Sequence, residues 1–515
     1  MAWFNSHLLT LLIFLPLAWA LIGLLLPRNK NWSLLGSLVT FALSALVLLR
    51  FNPSGEEFQY AEVVQWIPWF GISYHLGMDG ISLWLVLLTT FIMPIAILAS
   101  FRGIEDRTHE YYFWLLALET GMLGAFLALD IFLFYVFWEA MLIPMYFLIG
   151  IWGGKERVYA AMKFFLFTVV GSLLMLVAIF YLAYQHKLQF GIYSTALLDL
   201  YRVQIGHSGA WSPQALLFLA FSLAFAIKVP MFPLHTWLPD AHVQAPTAGS
   251  VILAGILLKM GGYGFIRFAF PLFPGAVAQF QFPFLILGVI SILYGAWVSM
   301  VQPDIKKLVA YSSVSHMGYV IVGLFSLNAV GATGSIYQML NHGISTGGLF
   351  LLVGMLYERR HTREIQDFGG IARIMPLYAI AFMIVTLSSI ALPGTNGFVG
   401  EFLILLGAWQ RSPWIAAVSA AGVIFGAVYM LWAYQRVMFG PVTKRENEGL
   451  KDLSSREVAV LVPVLVAIFA MGILPNLFFQ KMEPSIQRFL SRSTLMQTAV
   501  AQNKVNDVVA VKGDE

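Results

Sequence analysis

The sequence contains no cysteine, which excludes disulfides, thiolate zinc sites and cysteine-ligated iron–sulfur clusters from this chain. Any redox chemistry has to be supplied from elsewhere. Charge is the second scarcity: Asp, Glu, Lys and Arg make up 11% of the 515 residues, against 59% hydrophobic residues. With a positive mean hydropathy, that balance excludes a soluble globule and predicts a polytopic membrane protein. The formal charge of +4 is spread over many loops. With neither a basic domain nor an acidic tail, nothing points to nucleic acid. The opening stretch "MAWFNSHLLTLLIFLPLAWALIGLLLPRNK" lacks the basic n-region of a cleaved signal peptide, and its basic residues follow the apolar run. It reads as a retained first span.

A window of about 19 residues predicts an all-α fold of about 14 transmembrane helices. The first seven lie near 7–26, 33–50, 80–101, 111–129, 131–152, 158–184 and 214–236. The others lie near 246–270, 277–301, 305–326, 329–356, 373–409, 413–439 and 457–477, followed by a more polar tail. No soluble domain fits between them. Alternate loops hold Arg28, Lys30, Arg102, Arg107, Lys155, Arg157, Lys306, Lys307, Arg359, Arg360, Arg363, Lys444, Arg445 and Lys451. The other loops hold little beyond Arg50, Lys187, Arg202 and Arg411. The positive-inside rule makes the first set cytoplasmic, and fourteen spans then place both termini on the outer side.

Two spans are interrupted. The seventh carries Pro230, Pro233 and Pro239, and the twelfth carries Pro393, Gly394, Gly397 and Gly400. Proline removes a backbone donor and clashes with the preceding turn, so each span is expected to break into half-helices. Such breaks are tolerated at membrane depth only where protein or a water-filled cavity satisfies the freed groups. They lie five spans apart, an odd number, so a five-helix repeat would be inverted, as in transporters whose ion path runs through paired broken helices. This divides the chain into N-terminal helices (1–101), a first half-channel (111–270), a second inverted one (277–439) and a last helix with its tail (457–515).

Seven ionisable groups interrupt the apolar spans: Glu119, Glu139, Lys228, Lys259, His316, His342 and Glu401. A charge at the bilayer centre costs about 2.5 to 3.5 kcal/mol even on the mildest scale, so an ion or proton path is the default reading. Each also has a plainer reading. Lys259 and His342 can bond carbonyls between helices, Glu139 and Lys228 can form a static pair, and two histidines on neighbouring spans can ligate haem. The hydroxyls and amide in "SSVSHMGYV" and "QMLNHGIST" suit a hydrated hydrogen-bond chain better than a porphyrin slot.

The segments "WEAMLIPMYFLI", "KVPMFPLHTWLPDAHVQAPTAGSVILAGILLKMGGYG", "DIKKLVAYSSVSHMGYV" and "LPGTNGFVGEFLIL" resemble the proton-translocating antiporter-like membrane subunits of respiratory complex I, over about residues 80–480. Within that family, glutamate at 401 in place of lysine resembles the M-chain branch of bacterial NADH-quinone oxidoreductase. The resemblance implies that Glu139 and Lys228 are the charge pair of the first half-channel and Lys259 the central relay. It also implies that His316 and His342 lie on a connecting polar axis, with Glu401 as terminal proton site and no family role for Glu119. It further implies no cofactor in this chain, with NADH, FMN, iron–sulfur clusters and quinone in partner subunits. Adjacent L and N chains and a peripheral redox arm are the implied partners, in a bacterial inner membrane. A subunit of a sodium/proton antiporter or of a membrane-bound hydrogenase, and a stand-alone solute carrier, are the alternative expectations.

Overall fold

The computed structural model describes residues 6–26, 29–207 and 209–492. The chain is predominantly helical, and each of the fourteen sequence spans overlies a helix or a broken helix. The helices are α1 (Leu8–Gly23), α2 (Asn29–Arg50), α3 (Gly80–Gly103), α4 (Thr108–Leu127), α5 (Ile131–Trp152, with a turn at Met141) and α6 (Arg157–Phe190). The seventh span is α7 (Pro213–Lys228) followed by α8 (Trp237–Gln244), and the eighth is α9 (Thr247–Leu272). Then come α10 (Pro274–Met300), α11 (Ile305–Phe325) and α12 (Ala329–Arg360), and the twelfth span as α13 (Pro376–Ser389) and α14 (Asn396–Arg411). The series ends with α15 (Pro413–Met438), α16 (Ser455–Ile473) and a helix over 476–492, α17.

Among the described residues, 10 helices are long and apolar enough to cross a membrane by length and composition alone. The first, fourth, seventh and twelfth spans fall short of that measure. The seventh and twelfth do so because they are broken. One element departs from the all-helical reading: strands β1 (Gln59–Ile67) and β2 (Ile72–Met78) pair antiparallel between α2 and α3. The β-branched and aromatic residues of "QYAEVVQWI" and the turn at Gly71, φ 64°, carry the hairpin signal that a 19-residue hydropathy window averages away.

Buried acids tie the hairpin to the helices. Asp130 caps α5 by accepting from Phe132 N (2.9 Å) and Leu133 N (3.1 Å). Its other oxygen accepts from Ser73 N (2.9 Å), Ser73 Oγ (3.0 Å) and Thr195 Oγ1 (2.7 Å). A carboxylate out of water needs such a set of donors. Asp79 caps α3, accepting from Ile81 N and Ser82 N, and pairs with Arg267 of α9 at 2.7 Å with both side chains under 8% exposed. Removing one member of a buried pair leaves an uncompensated charge and costs about 3–5 kcal/mol. Asp79→Asn keeps a competent cap, so the expected loss isolates the pair. Thermal melting of the solubilised complex should show a lower midpoint and membranes should hold less of the chain, while an unchanged midpoint would remove the pair from the stability of the fold.

The basic loops gather at one end. There a cavity of about 860 Å³ is lined by Arg102, Lys306, Arg359, Arg363 and Lys451 together with Glu105, Asp106, Glu358 and Glu457. The opposite end is less bare of positive charge than the loop count predicts. It also holds Arg267, with Lys481 donating to Phe51 O (3.0 Å), Arg488 to Gly55 O (3.1 Å) and Arg492 paired with Glu57. These four side chains are tied to acids or carbonyls as they dock α9 and α17.

The core is made by α9, α11 and α12, whose apolar windows are buried over 100%, 94% and 100% of their length. They carry Lys259, His316 and His342. Helices α2, α6, α15 and α16 form the outer shell, with broad exposed apolar faces. The packing pattern recurs: α6 lies against both halves of the seventh span, and α12 against both halves of the twelfth.

Candidate proton path

Both breaks place polar backbone inside the helical bundle. Lys228 is the last residue of α7. In the turn that follows, Trp237 Nε1 donates to Ile227 O (3.0 Å) and Phe232 N to Ser291 Oγ (2.9 Å), so part of the interrupted ladder is satisfied by side chains. In the second break Gly394 adopts φ +92°, a conformation that strains any other residue. Asn396 then accepts from Ser388 Oγ (2.6 Å) and donates to Asn341 O (3.2 Å), tying the break to α12.

The first candidate group is Lys228, 1% exposed. Its ammonium has no hydrogen-bond partner and lies over the rings of Trp138 (5.4 Å) and Phe164 (5.3 Å). A desolvated cation–π contact is worth about 2 kcal/mol or more, and here it replaces part of the lost hydration. Glu139 and Lys228 are within electrostatic reach of one another, yet no ion pair joins them. The anticipated pair is thus held apart. One Glu139 oxygen is buried without a partner, with the Ser172 hydroxyl beside it.

Lys259 lies on α9 between two π-helical turns, Leu253–Leu257 and Phe265–Ala269. A π turn displaces carbonyls from the regular ladder, and Lys259 Nζ donates to one of them, Ala254 O. The same nitrogen is hydrogen-bonded to His342 Nδ1 at 2.6 Å. The His342 and His316 rings are 5.9 Å apart between centroids. His316 Nδ1 lies 2.9 Å from Glu401 Oε1, which also accepts from Gln338 Nε2 at 3.0 Å. At Gly400 a Cβ would come within 2.5 Å of Gln338 Oε1, so the glycine before Glu401 lets α14 close against α12. Four expected residues, Lys259, His342, His316 and Glu401, therefore stand in one chain across the core. Glu119 stands apart: it is fully buried, with both carboxyl oxygens unpartnered.

Three of the four imidazole nitrogens of the histidine pair face Lys259, Glu401 and, at 3.4 Å, Tyr429 Oη. Those partners fit a hydrogen-bond chain and leave no pair of free nitrogens for haem. No group of three or more metal-ligating side chains occurs among the described residues.

Sequence reading places amides and hydroxyls around His342 and misses Tyr429 and His242. Gln338, Asn341 and Ser345 share one face of α12 with His342 at three- and four-residue spacing, a polar stripe that was readable. Tyr429 offered no signal, since only the packing of α15 brings it to His316. His242, wholly buried with neither ring nitrogen bonded, stacks on Phe350 at 4.5 Å and lies within electrostatic reach of Lys259 and Lys306.

The family model described as "NADH:quinone oxidoreductase/Mrp antiporter, TM" matches residues 128–426, and that described as "NADH-ubiquinone oxidoreductase chain 4, amino terminus" matches residues 8–127. The chain is 48% identical to NADH-quinone oxidoreductase subunit M of Rhodobacter capsulatus, over 93% of this chain and 96% of the relative. It is 43% identical to NADH-ubiquinone oxidoreductase chain 4 of Arabidopsis thaliana, over 93% and 96%. A chain of respiratory complex I from Thermus thermophilus superposes with a TM-score of 0.86 at 36% identity, over 94% of this chain and 99% of that one. A chain of the Mrp complex from Dietzia shares the fold, with a TM-score of 0.78 at 24% identity over 94% and 52%. With its helical membrane fold and its match over nearly the whole length, the chain belongs to the NADH:quinone oxidoreductase/Mrp antiporter family, in the branch of subunit M and chain 4.

Proposed function

We infer that this chain is a proton-translocating membrane subunit of NADH-quinone oxidoreductase, carrying protons by way of Glu139, Lys228, Lys259, His342, His316 and Glu401. The observation that carries the reading is the contact chain Lys259–His342–His316–Glu401 inside the most buried helices. Residues 111–270 and 277–439 act as two inverted half-channels, flanked by the N-terminal helices (1–101) and the last helix with its tail (457–515).

At an effective dielectric of about 20, two unit charges attract by roughly 4 kcal/mol at 4 Å and roughly 2.4 at 7 Å. The separation of Glu139 and Lys228 therefore sets how firmly the ammonium is held. A movement of a few ångströms changes that attraction by about 1.6 kcal/mol, comparable to the roughly 2.3 kcal/mol a proton needs to cross 100 mV. The work comes from partner subunits. NADH, FMN, iron–sulfur clusters and quinone belong to those partners, with the L and N chains as membrane neighbours. The complex resides in the bacterial inner membrane with both termini of this chain on the outer side.

The test is affinity purification of the tagged chain from membranes, followed by mass spectrometry and by NADH-driven quinone reduction of the eluate. Co-purification with L, N and peripheral-arm subunits, with activity, is the expected result. Recovery with hydrogenase or Mrp-type partners, or transport by the lone chain, would overturn it.

A further inference from the structure

The proton row has an inner end at Lys228, and nothing described above loads it. About 9 Å along α6 from its basic end, at a rise of 1.5 Å per residue, Lys163 donates to Asp240 of α8 at 2.6 Å, the side chains 20% and 37% exposed. Both side chains of the pair are partly exposed. Behind it lies His235, in the turn between α7 and α8, 2% exposed and with Nδ1 buried and unpartnered. Its ring is boxed by Phe232 (5.8 Å), Tyr294 (5.0 Å) and Tyr311 (6.3 Å). Tyr294 and Tyr311 each lie six residues from the basic ends of α10 and α11, at the same depth as Lys163.

Lys163 is within electrostatic reach of His235, and Asp240 of Tyr311. The residue after Lys163 is Phe164, whose ring covers the Lys228 ammonium. Lys228 and His235 are the two ends of one helix break. A partly exposed acid, a buried imidazole with an unpartnered nitrogen and an unpartnered amine thus border one helix break, from α8 back to the end of α7.

We propose that Asp240 and His235 load the proton that Lys228 carries, with Lys163 positioning Asp240. The inference rests on the proton-carrying reading given above. A proton from water on the basic side is taken by the Asp240 carboxylate and passed to the His235 imidazole, whose Nδ1 delivers it toward the neutral Lys228 amine. Asp240 returns to carboxylate and His235 to neutral imidazole, so only the proton has moved. The lysine spreads the Asp240 charge into an ion pair and orients it toward the turn.

The experiment uses the assembled complex in membrane vesicles, with NADH-driven proton uptake normalised to complex content. His235→Ala should slow uptake at least about fivefold, within the range of a lost proton-transfer group, and added imidazole should restore most of it. Asp240→Asn, which is isosteric and leaves only a partly exposed lysine unpaired, should slow uptake and be restored by formate. A structural role would not respond to either small molecule. Parental rates in both variants, or losses that neither imidazole nor formate moves, overturn the loading path, and Lys228→Ala in the same series separates this from the larger reading. If Lys228→Ala also pumps at the parental rate, the row itself is overturned.

Discussion

Glu139→Ala is expected to lower NADH-driven proton pumping by more than about tenfold while the complex still assembles. Lys228 has no hydrogen-bond partner and only the faces of Trp138 and Phe164 beside it, so Glu139 is the one anion acting on its ammonium. Two unit charges roughly 7 Å apart at an effective dielectric of about 20 attract by about 2.4 kcal/mol, and an attraction of that order is more than a factor of ten in a binding equilibrium. Its loss leaves a cation in an apolar pocket without compensation. Glu139→Asp keeps the charge with a shorter reach and should retain more activity than alanine. Because Glu139 is only partly buried, the alanine variant leaves no large cavity, so complex content in membranes should match the parent. Parental pumping by the alanine variant would take Glu139 out of the mechanism.

Glu401→Gln is the second large effect. His316 Nδ1 and Gln338 Nε2 both meet one oxygen of the acid, Oε1, and an amide oxygen in that place can accept from each, so both contacts survive in shape. What it loses is the capacity to bind and release a proton. Pumping should fall more than about tenfold, and quinone reduction with it if coupling is tight, at unchanged complex content. Glu401→Lys should do less harm, since a lysine can also carry a proton. It needs the Gln338 amide to turn, because Gln338 Nε2 now donates to Glu401 while its oxygen accepts from Asn341 (3.2 Å). Assayed in the same membranes, a glutamine variant pumping at the parental rate would make Glu401 a structural acid.

The fold was largely legible because lipid imposes one periodicity. Length, hydropathy and the positions of Pro230, Pro393 and Gly394 were enough to place the spans and both breaks. The hairpin was not, since a hydropathy window averages its short strands away and the contacts that hold it, through Asp130 and Glu62 of β1, reach partners 52 to 65 residues distant in sequence. The ionisable residues were visible as charges in apolar runs, yet their connections were not. Nothing local shows that Lys259 meets His342 across 83 residues or His316 meets Glu401 across 85. The separation of Glu139 and Lys228 likewise depends on where Trp138 and Phe164 pack, which is a property of three helices together. His235 and His242 were hidden in a motif whose prolines drew attention to the backbone and away from its imidazoles.

If protons move along this row and partner-driven chemistry is coupled to it, proton uptake and NADH-driven quinone reduction must fall together when the row is cut. Both are recorded in one vesicle preparation for the parent, Glu139→Ala, Lys228→Ala, Lys259→Ala and Glu401→Gln at equal complex content. All four variants should lose pumping by more than about tenfold, because each removes a proton-binding step from a single series. Parental pumping by Lys259→Ala or Glu401→Gln in an intact, active complex would contradict this, since the contact chain through His342 and His316 would then join residues that carry no proton.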